Sequence, residues 1–198
     1  MGVGCLLRYA AAVATKEERR EAESRERRRM ALAQVRQFPD PVLKQRSREV
    51  EAFDDDLAAL AARMVELMND AHGAGLAAPQ IGLLRRMFVY EVSEEEGPVV
   101  VVNPEIIEAS EELIVDGEGC LSLSLLIDER HDVPVERHAS VTLRSFDVEG
   151  NELVRDVDGH AARVIQHELD HLDGTLILDR TTREARGDAL RLLRRAIT

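Results

Sequence analysis

The chain has 198 residues, 44% hydrophobic and 32% charged, a balance that suits one soluble globular domain with a real core. Its formal charge of -12 argues against a duplex-binding protein, which needs clustered Lys and Arg, and no run approaches the roughly 18 apolar residues of a membrane span. Two cysteines, Cys5 and Cys120, cannot build a disulfide framework and point to a reducing, cytoplasmic setting.

Residues 1–29 differ in kind from the rest. They hold eight Lys/Arg against five Glu, a net +3 that leaves -15 for 30–198. The apolar start precedes the positive residues, the reverse of a secretory signal, and five glutamates do not fit an organellar transit sequence. The segment reads as a charged extension, disordered or loosely helical, and Met30 directly after it is a possible translation start. Pro39 and Pro41 then punctuate an extended segment, QFPDPVLKQRSREV. Asp54 to Asp56 open a helix in which Leu57, Leu60, Ala61, Met64, Leu67 and Met68 recur at helical spacing, with His72-Gly73 as its stop.

After the loop HGAGLAAPQIG, two β-like runs follow, MFVYEV at 87–92 and PVVVVNP at 98–104. The alternation over 139–157, turning at Glu149-Gly150-Asn151, predicts a hairpin. A helix from about Gly159 to Leu172 carries Ala161, Val164, Ile165, Leu169 and Leu172 on its apolar side, and Gly174 follows it. An Arg-rich helix, REARGDALRLLRRAI, closes the chain. Hairpin strands with few helices predict an α+β domain.

The stretch QHELDH on the 159–172 helix carries the chemistry. His167 and His171, at i and i+4, project from one face and can reach one ion, while Glu168 can approach a water on that ion without being a ligand. A catalytic metal usually takes three protein ligands and keeps one open position. Beyond His171 no histidine remains, and the one further glutamate, Glu184, sits in the Arg-rich helix. Upstream, Cys120 in GEGCLS is a plausible thiolate ligand with glycine beside it. On residues alone several readings stay open: a metallohydrolase using Cys120, a zinc peptidase, a non-catalytic peptide-binding module with a structural metal, or a plain polar helix face.

Three ordered segments, GAGLAAPQ at 73–80, EGCLS at 118–122 and QHELDH at 166–171, together resemble the peptide deformylase family. Looser similarity, including RQFPDPVL, VVNPEI and HLDGTLILDR, covers nearly all of 30–180. The resemblance implies an α+β fold of antiparallel sheets around a central helix that carries the HExxH motif, with 30–198 as the catalytic domain. It implies removal of the N-formyl group from the initiator methionine of nascent peptides in the cytoplasm, with release of formate. Cys120, His167 and His171 would bind one divalent metal, typically Fe²⁺, with Zn²⁺, Ni²⁺ or Co²⁺ possible in the same site. Glu168 would be the general acid/base, and Gln80 with the backbone N–H of Leu121 would form the oxyanion hole. Gly73 and Gly75 would let the substrate backbone approach, and Val164 is a further candidate for a wall of the methionine pocket. After EGCLS the family usually continues with Pro-Gly, where this chain has Ser124-Leu125 in a segment several residues longer. His131 in that segment, with no second donor at metal spacing, reads as a loop histidine. The terminal helix sets Arg183, Arg186, Arg191, Arg194 and Arg195 against Glu184 and Asp188, a solvated face that could also touch ribosomal RNA.

Overall fold

The computed structural model describes residues 15–93, 95–128 and 131–195. Residues 1–14 of the expected extension lie outside the described residues. The charged stretch that follows forms α1 (Lys16–Leu32), opened by a reciprocal cap: Glu18 N–H donates to Thr15 Oγ1 at 3.2 Å and Thr15 N–H to Glu18 Oε2 at 2.6 Å. It passes through Met30 without a break, and of its residues Ala31 alone is buried. Beyond it the chain is mostly irregular, with one 3-10 turn over Pro41–Lys44. In α2 (Asp55–Asp70), Asp54 Oδ1 accepts the N–H of Leu57 at 3.0 Å, and Leu57, Ala61, Met64, Leu67 and Met68 are buried as their spacing predicts. The stop at His72 is a left-handed residue with φ of 58°.

Among the described residues seven strands follow: β1 (Gly75–Ala77), β2 (Met87–Tyr90), β3 (Val99–Ala109), β4 (Leu113–Glu118), β5 (Val133–His138), β6 (Ser140–Phe146) and β7 (Glu152–Asp158). A short helix, α3 (Ser124–Asp128), lies between β4 and β5. Antiparallel pairing gives a five-stranded sheet in the order β1-β2-β3-β6-β7 and a separate β4-β5 pair. The expected hairpin is β6-β7. β3 runs past the predicted stop at Asn103-Pro104, because Asn103 takes a φ of 48° and bonds both polar groups of Val50, at 2.8 and 2.9 Å, while the pairing with β6 resumes after a register shift.

The sequence pattern does not announce β4 or β5. In β4, Leu113 to Gly117 are all exposed and Glu118 alone is buried, so the alternation that marks a half-buried strand is missing. β5 does alternate, but its second residue is Pro134 and its third inward residue is Arg137. The segment after Ser122 also gains structure: a 3-10 turn at Leu121–Leu123 runs into α3. Ser-Leu in place of Pro-Gly permits this, since no ring removes a donor and no Cβ-free residue loosens the backbone. Leu123 and Leu126 are buried against Ile177, Leu178 and Leu193, and Gln37 Oε1 accepts both the N–H and the hydroxyl of Ser124. Glu129 and Arg130 lie outside the described residues.

The helix α4 (Gly159–Leu172) packs against β1, β2 and β7 on one side and β5 on the other, so it runs between the two sheets. This is the α+β fold with a central motif-bearing helix that the sequence predicts. Burial surrounds α4 more completely than its periodicity suggests: Gln166, His167, Glu168, Asp170 and His171 are buried, while Ala161 and Leu169 are half-buried. Two further helices, α5 (Ile177–Arg180) and α6 (Arg183–Arg195), complete the described chain, with Ala189 and Leu193 of α6 buried and its five arginines exposed.

Candidate active site

A polar helix face meant for solvent would be exposed, whereas His167, Glu168 and His171 are buried among other polar groups. Hydrogen bonds support the burial of His167 Nδ1 and His171 Nε2, whereas Glu168 Oε2 and His171 Nδ1 are buried with no hydrogen-bond partner among the described residues. Cys120, at the junction of β4 and the 3-10 turn, brings its sulfur to 3.3 Å from His171 Nε2, and one ligand atom each from Cys120, His167 and His171 lie within 4.8 Å of one another. Donors placed tetrahedrally about one ion at bond lengths of ~2.0–2.3 Å stand about 3.5 Å apart, so the cluster has the size of a metal site. Thiolate with two imidazoles suits Fe, Co, Ni or Zn and not a hard ion such as Mg²⁺. The residues present therefore fit a single divalent metal and leave one position open. Among the described residues no other His/Cys/Asp/Glu group has this compactness, and His131, half-buried beside α3, is not part of it.

The remaining ring nitrogen of His167 is held by a residue that sequence reasoning does not single out. His167 Nδ1 lies 2.9 Å from Glu118 Oε2, and Glu118 also accepts from Arg137 Nε and Nη2, each at 3.0 Å, and from Arg163 Nη1 at 2.8 Å. A metal-ligating histidine needs its second nitrogen fixed. That rule could have directed attention to the glutamate two residues before Cys120. Burial alone would raise the Glu118 carboxyl, but the hydrogen bonds and charges of His167 and Arg137 outweigh it and hold the group far below the carboxylate range. His167 is pushed well above the usual imidazole value, against the effect of burial, by its hydrogen bonds to Cys120 and Glu118. His171 is pushed well below it by burial and by the charge of His167. Metal binding requires neutral imidazoles and a thiolate, so uptake of the ion displaces protons from this cluster.

Glu168 faces the same space from the next position on α4. Burial pushes its carboxyl up to about 7, and its Oε2 has no hydrogen-bond partner among the described residues. A buried acceptor without a partner and with a raised carboxyl value is a candidate proton carrier. Gln80 lines the same cleft. Gln80 Oε1 accepts the N–H of Ala77 at 2.8 Å, which fixes the amide so that Nε2 points to Ser122 Oγ at 3.3 Å and Cys120 Sγ at 3.9 Å.

These groups line one cleft of about 530 Å³, together with Gly73, Gly75, Leu121 and Val164. Both glycines are there for space. A Cβ on Gly75 would lie 2.4 Å from Glu168 Oε1, and one on Gly73 would lie 2.8 Å from Leu121 Cδ1. Every sequence-predicted site residue thus meets at one place, with His171 just behind the cleft surface.

A sequence model of the family described as polypeptide deformylase matches residues 32–187. The chain belongs to the polypeptide deformylase family. Among its deformylase relatives, that of Thermotoga neapolitana is 46% identical over 149 residues, covering 75% of this chain and 87% of the relative. The deformylase of Clostridium botulinum is 43% identical over 155 residues, covering 78% of this chain and all of the relative. The solved peptide deformylase of Plasmodium falciparum superposes with a TM-score of 0.76 at 33% identity, covering 82% of this chain and 94% of that one. The Thermotoga maritima enzyme gives 0.70 at 42%, covering 75% and 96%. The deformylase-family match starts at residue 32, inside the last turn of α1, so most of α1 lies outside it.

Proposed function

We propose that this protein is a metal-dependent hydrolase that removes the formyl group from N-formylmethionyl nascent peptides and releases formate. The observation that carries this is the Cys120, His167 and His171 cluster with the unpartnered oxygen of Glu168 beside it in an open cleft. The family's Fe²⁺ is the proposed ion, with Zn²⁺, Ni²⁺ and Co²⁺ suited to the same donors. A divalent ion held there would supply Lewis-acid activation of water and of the formyl carbonyl. Glu168 takes the proton of the attacking water and delivers it to the departing amine. Gln80 Nε2 and the N–H of Leu121, the first residue of its 3-10 turn, stabilise the negative charge that develops on the formyl oxygen. Val164, which lines the cleft with the apolar Leu121 and Ile127, helps wall the space for the methionine side chain. The direct test is formate release by metal-loaded protein, with peptide-bond cleavage scored in parallel.

Gly73 and Gly75 are assigned to the substrate backbone, which would pair with the chain before and along β1 as an added strand. Gly75→Ala is expected to lower kcat/KM by at least about 100-fold, because the methyl would occupy the place of the Glu168 carboxylate and misplace a catalytic group by an ångström or so. Stopped-time formate assays check this; an alanine variant with unchanged kcat/KM would remove the role.

The exposed arginines of α6 give an acidic protein one basic face. A transient contact of this face with ribosomal RNA, and a cytoplasmic place of work, belong to the same proposal; no helix among the described residues is long and apolar enough to cross a membrane. Ribosome co-sedimentation is expected to weaken with salt and on deletion of residues 181–198. Co-sedimentation indifferent to that deletion would rule the contact out. Residues 1–29 are proposed as an extension outside the catalytic unit, supported by the start of the family match at residue 32.

A further inference from the structure

The hydrogen-bond chain that holds His167 does not end at Arg137. Arg137 Nη1 donates to Asp170 Oδ2 at 2.6 Å, and Arg180 at the end of α5 grips the same carboxylate from outside, Nε to Oδ2 at 3.1 Å and Nη2 to Oδ1 at 2.6 Å. Arg137 and Asp170 side chains are 5% and 7% exposed, whereas that of Arg180 is 52% exposed. Arg137, Asp170 and Arg180 line a second cavity of about 410 Å³ with Gln166 and Leu169, and this cavity shares no residue with the catalytic cleft.

We propose that Arg180, which never reaches the catalytic cleft, is a positioning residue for the metal centre, acting on His167 through Asp170, Arg137 and Glu118. The reason is geometric. Arg180 supplies two fork donors to Asp170, one to each oxygen, and so fixes the rotation of that carboxylate about its soft terminal torsion. Asp170 then anchors one end of a rigid guanidinium, and the other two donors of Arg137 meet both oxygens of Glu118. A planar group held at both ends transmits the orientation of one carboxylate to the other. Glu118 in turn sets the His167 ring through Nδ1. Without Arg180, Asp170 Oδ1 would be a buried acceptor with no other hydrogen-bond donor among the described residues, and Arg137 would lose its fixed end.

The proposal rests on the metal-hydrolase reading, and its test separates the two because metal release is read without substrate. In Co²⁺-loaded protein, Arg180→Ala is expected to release metal to a chelator about 3–10-fold faster than wild type, less than the roughly 10–100-fold typical of residues bonded directly to a ligand. The visible Co²⁺ absorption should shift, and kcat for formate release should fall with KM unchanged. Arg180→Lys, which keeps the charge but lacks the fork, should fall between the two, and Arg180→Gln serves if the alanine variant does not fold. Arg144→Ala, an exposed arginine on β6 away from this chain of bonds, should match wild type. An Arg180→Ala protein with unchanged release rate and spectrum, but a lowered unfolding midpoint when metal-free, would overturn the proposal in favour of a merely structural ion pair. A lysine variant identical with wild type would overturn it too, since charge alone would then suffice.

Discussion

Glu168→Gln is expected to lower kcat for formate release by about 10²–10⁴-fold, the usual range for loss of a general acid/base, while the metal content stays at that of wild type. Glutamine fills the same space and keeps one acceptor, but it cannot take a proton from water at neutral pH. The metal ligands are untouched, because Glu168 is not among the three clustered donors. The same residue sets the acid side of the pH profile. Burial pushes the Glu168 carboxyl up to about 7 when the site holds no ion, and a divalent cation nearby favours the charged form and draws it down. Only the ionised carboxylate can act as base, so kcat/KM should rise with pH through a limb below 7, and that limb should vanish in the variant. Equal activity in Glu168→Gln would remove the role given to this residue.

The second large effect is on stability and metal retention. Glu118→Gln removes a carboxylate that is 5% exposed and leaves Arg137 and Arg163, themselves 5% and 11% exposed, without that counter-charge. Breaking a buried pair from one side costs about 3–5 kcal/mol, and loss of a direct partner of a ligating histidine typically weakens metal binding by about 10–100-fold. Urea unfolding of the metal-free protein and competition with a chelator measure the two separately. The sign of the pH dependence follows from the same contacts. Glu118 is held far below its unfolded value, so its contribution is fully present above the ordinary carboxylate range and is lost as pH falls through and below that range. The variant should lack this share of the acid loss. A variant as stable as wild type, and as retentive of metal, would contradict the account of the Glu118 hub.

The outline of the site was legible because its chemistry is written in short segments. The i, i+4 histidines on a helix bounded by Gly159 and Gly174 specify a shared face, and that helix spans Gly159–Leu172 as expected. Cys120, Gln80 and the glycines entered through the ordered segments GAGLAAPQ, EGCLS and QHELDH, and the structure brings them to one cleft. What periodicity could not supply was the surroundings. α4 looks amphipathic, yet its polar side is buried too, and partners from outside the helix hold three of its side chains: Glu118 for His167, Arg137 and Arg180 for Asp170, and the backbone of His138 for Gln166. Charge pairing over such separations leaves no local pattern to read. β5 was hidden for the same reason, since its inward Arg137 breaks an apolar alternation that the ion pairs make tolerable. The stretch after Ser122 reads as a loop by resemblance, but Leu123 and Leu126 find a core with α5 and α6 that only the folded chain provides.

The central claim is tested most directly by formate release from a formyl-methionyl peptide, using protein prepared anaerobically and loaded with Fe²⁺ or Ni²⁺. Formate should appear in step with the free methionyl amine, with the peptide bonds left intact and the reaction largely abolished in Glu168→Gln. A folded, fully metallated sample that releases no formate, or that cleaves the peptide bonds instead, would contradict the deformylase reading.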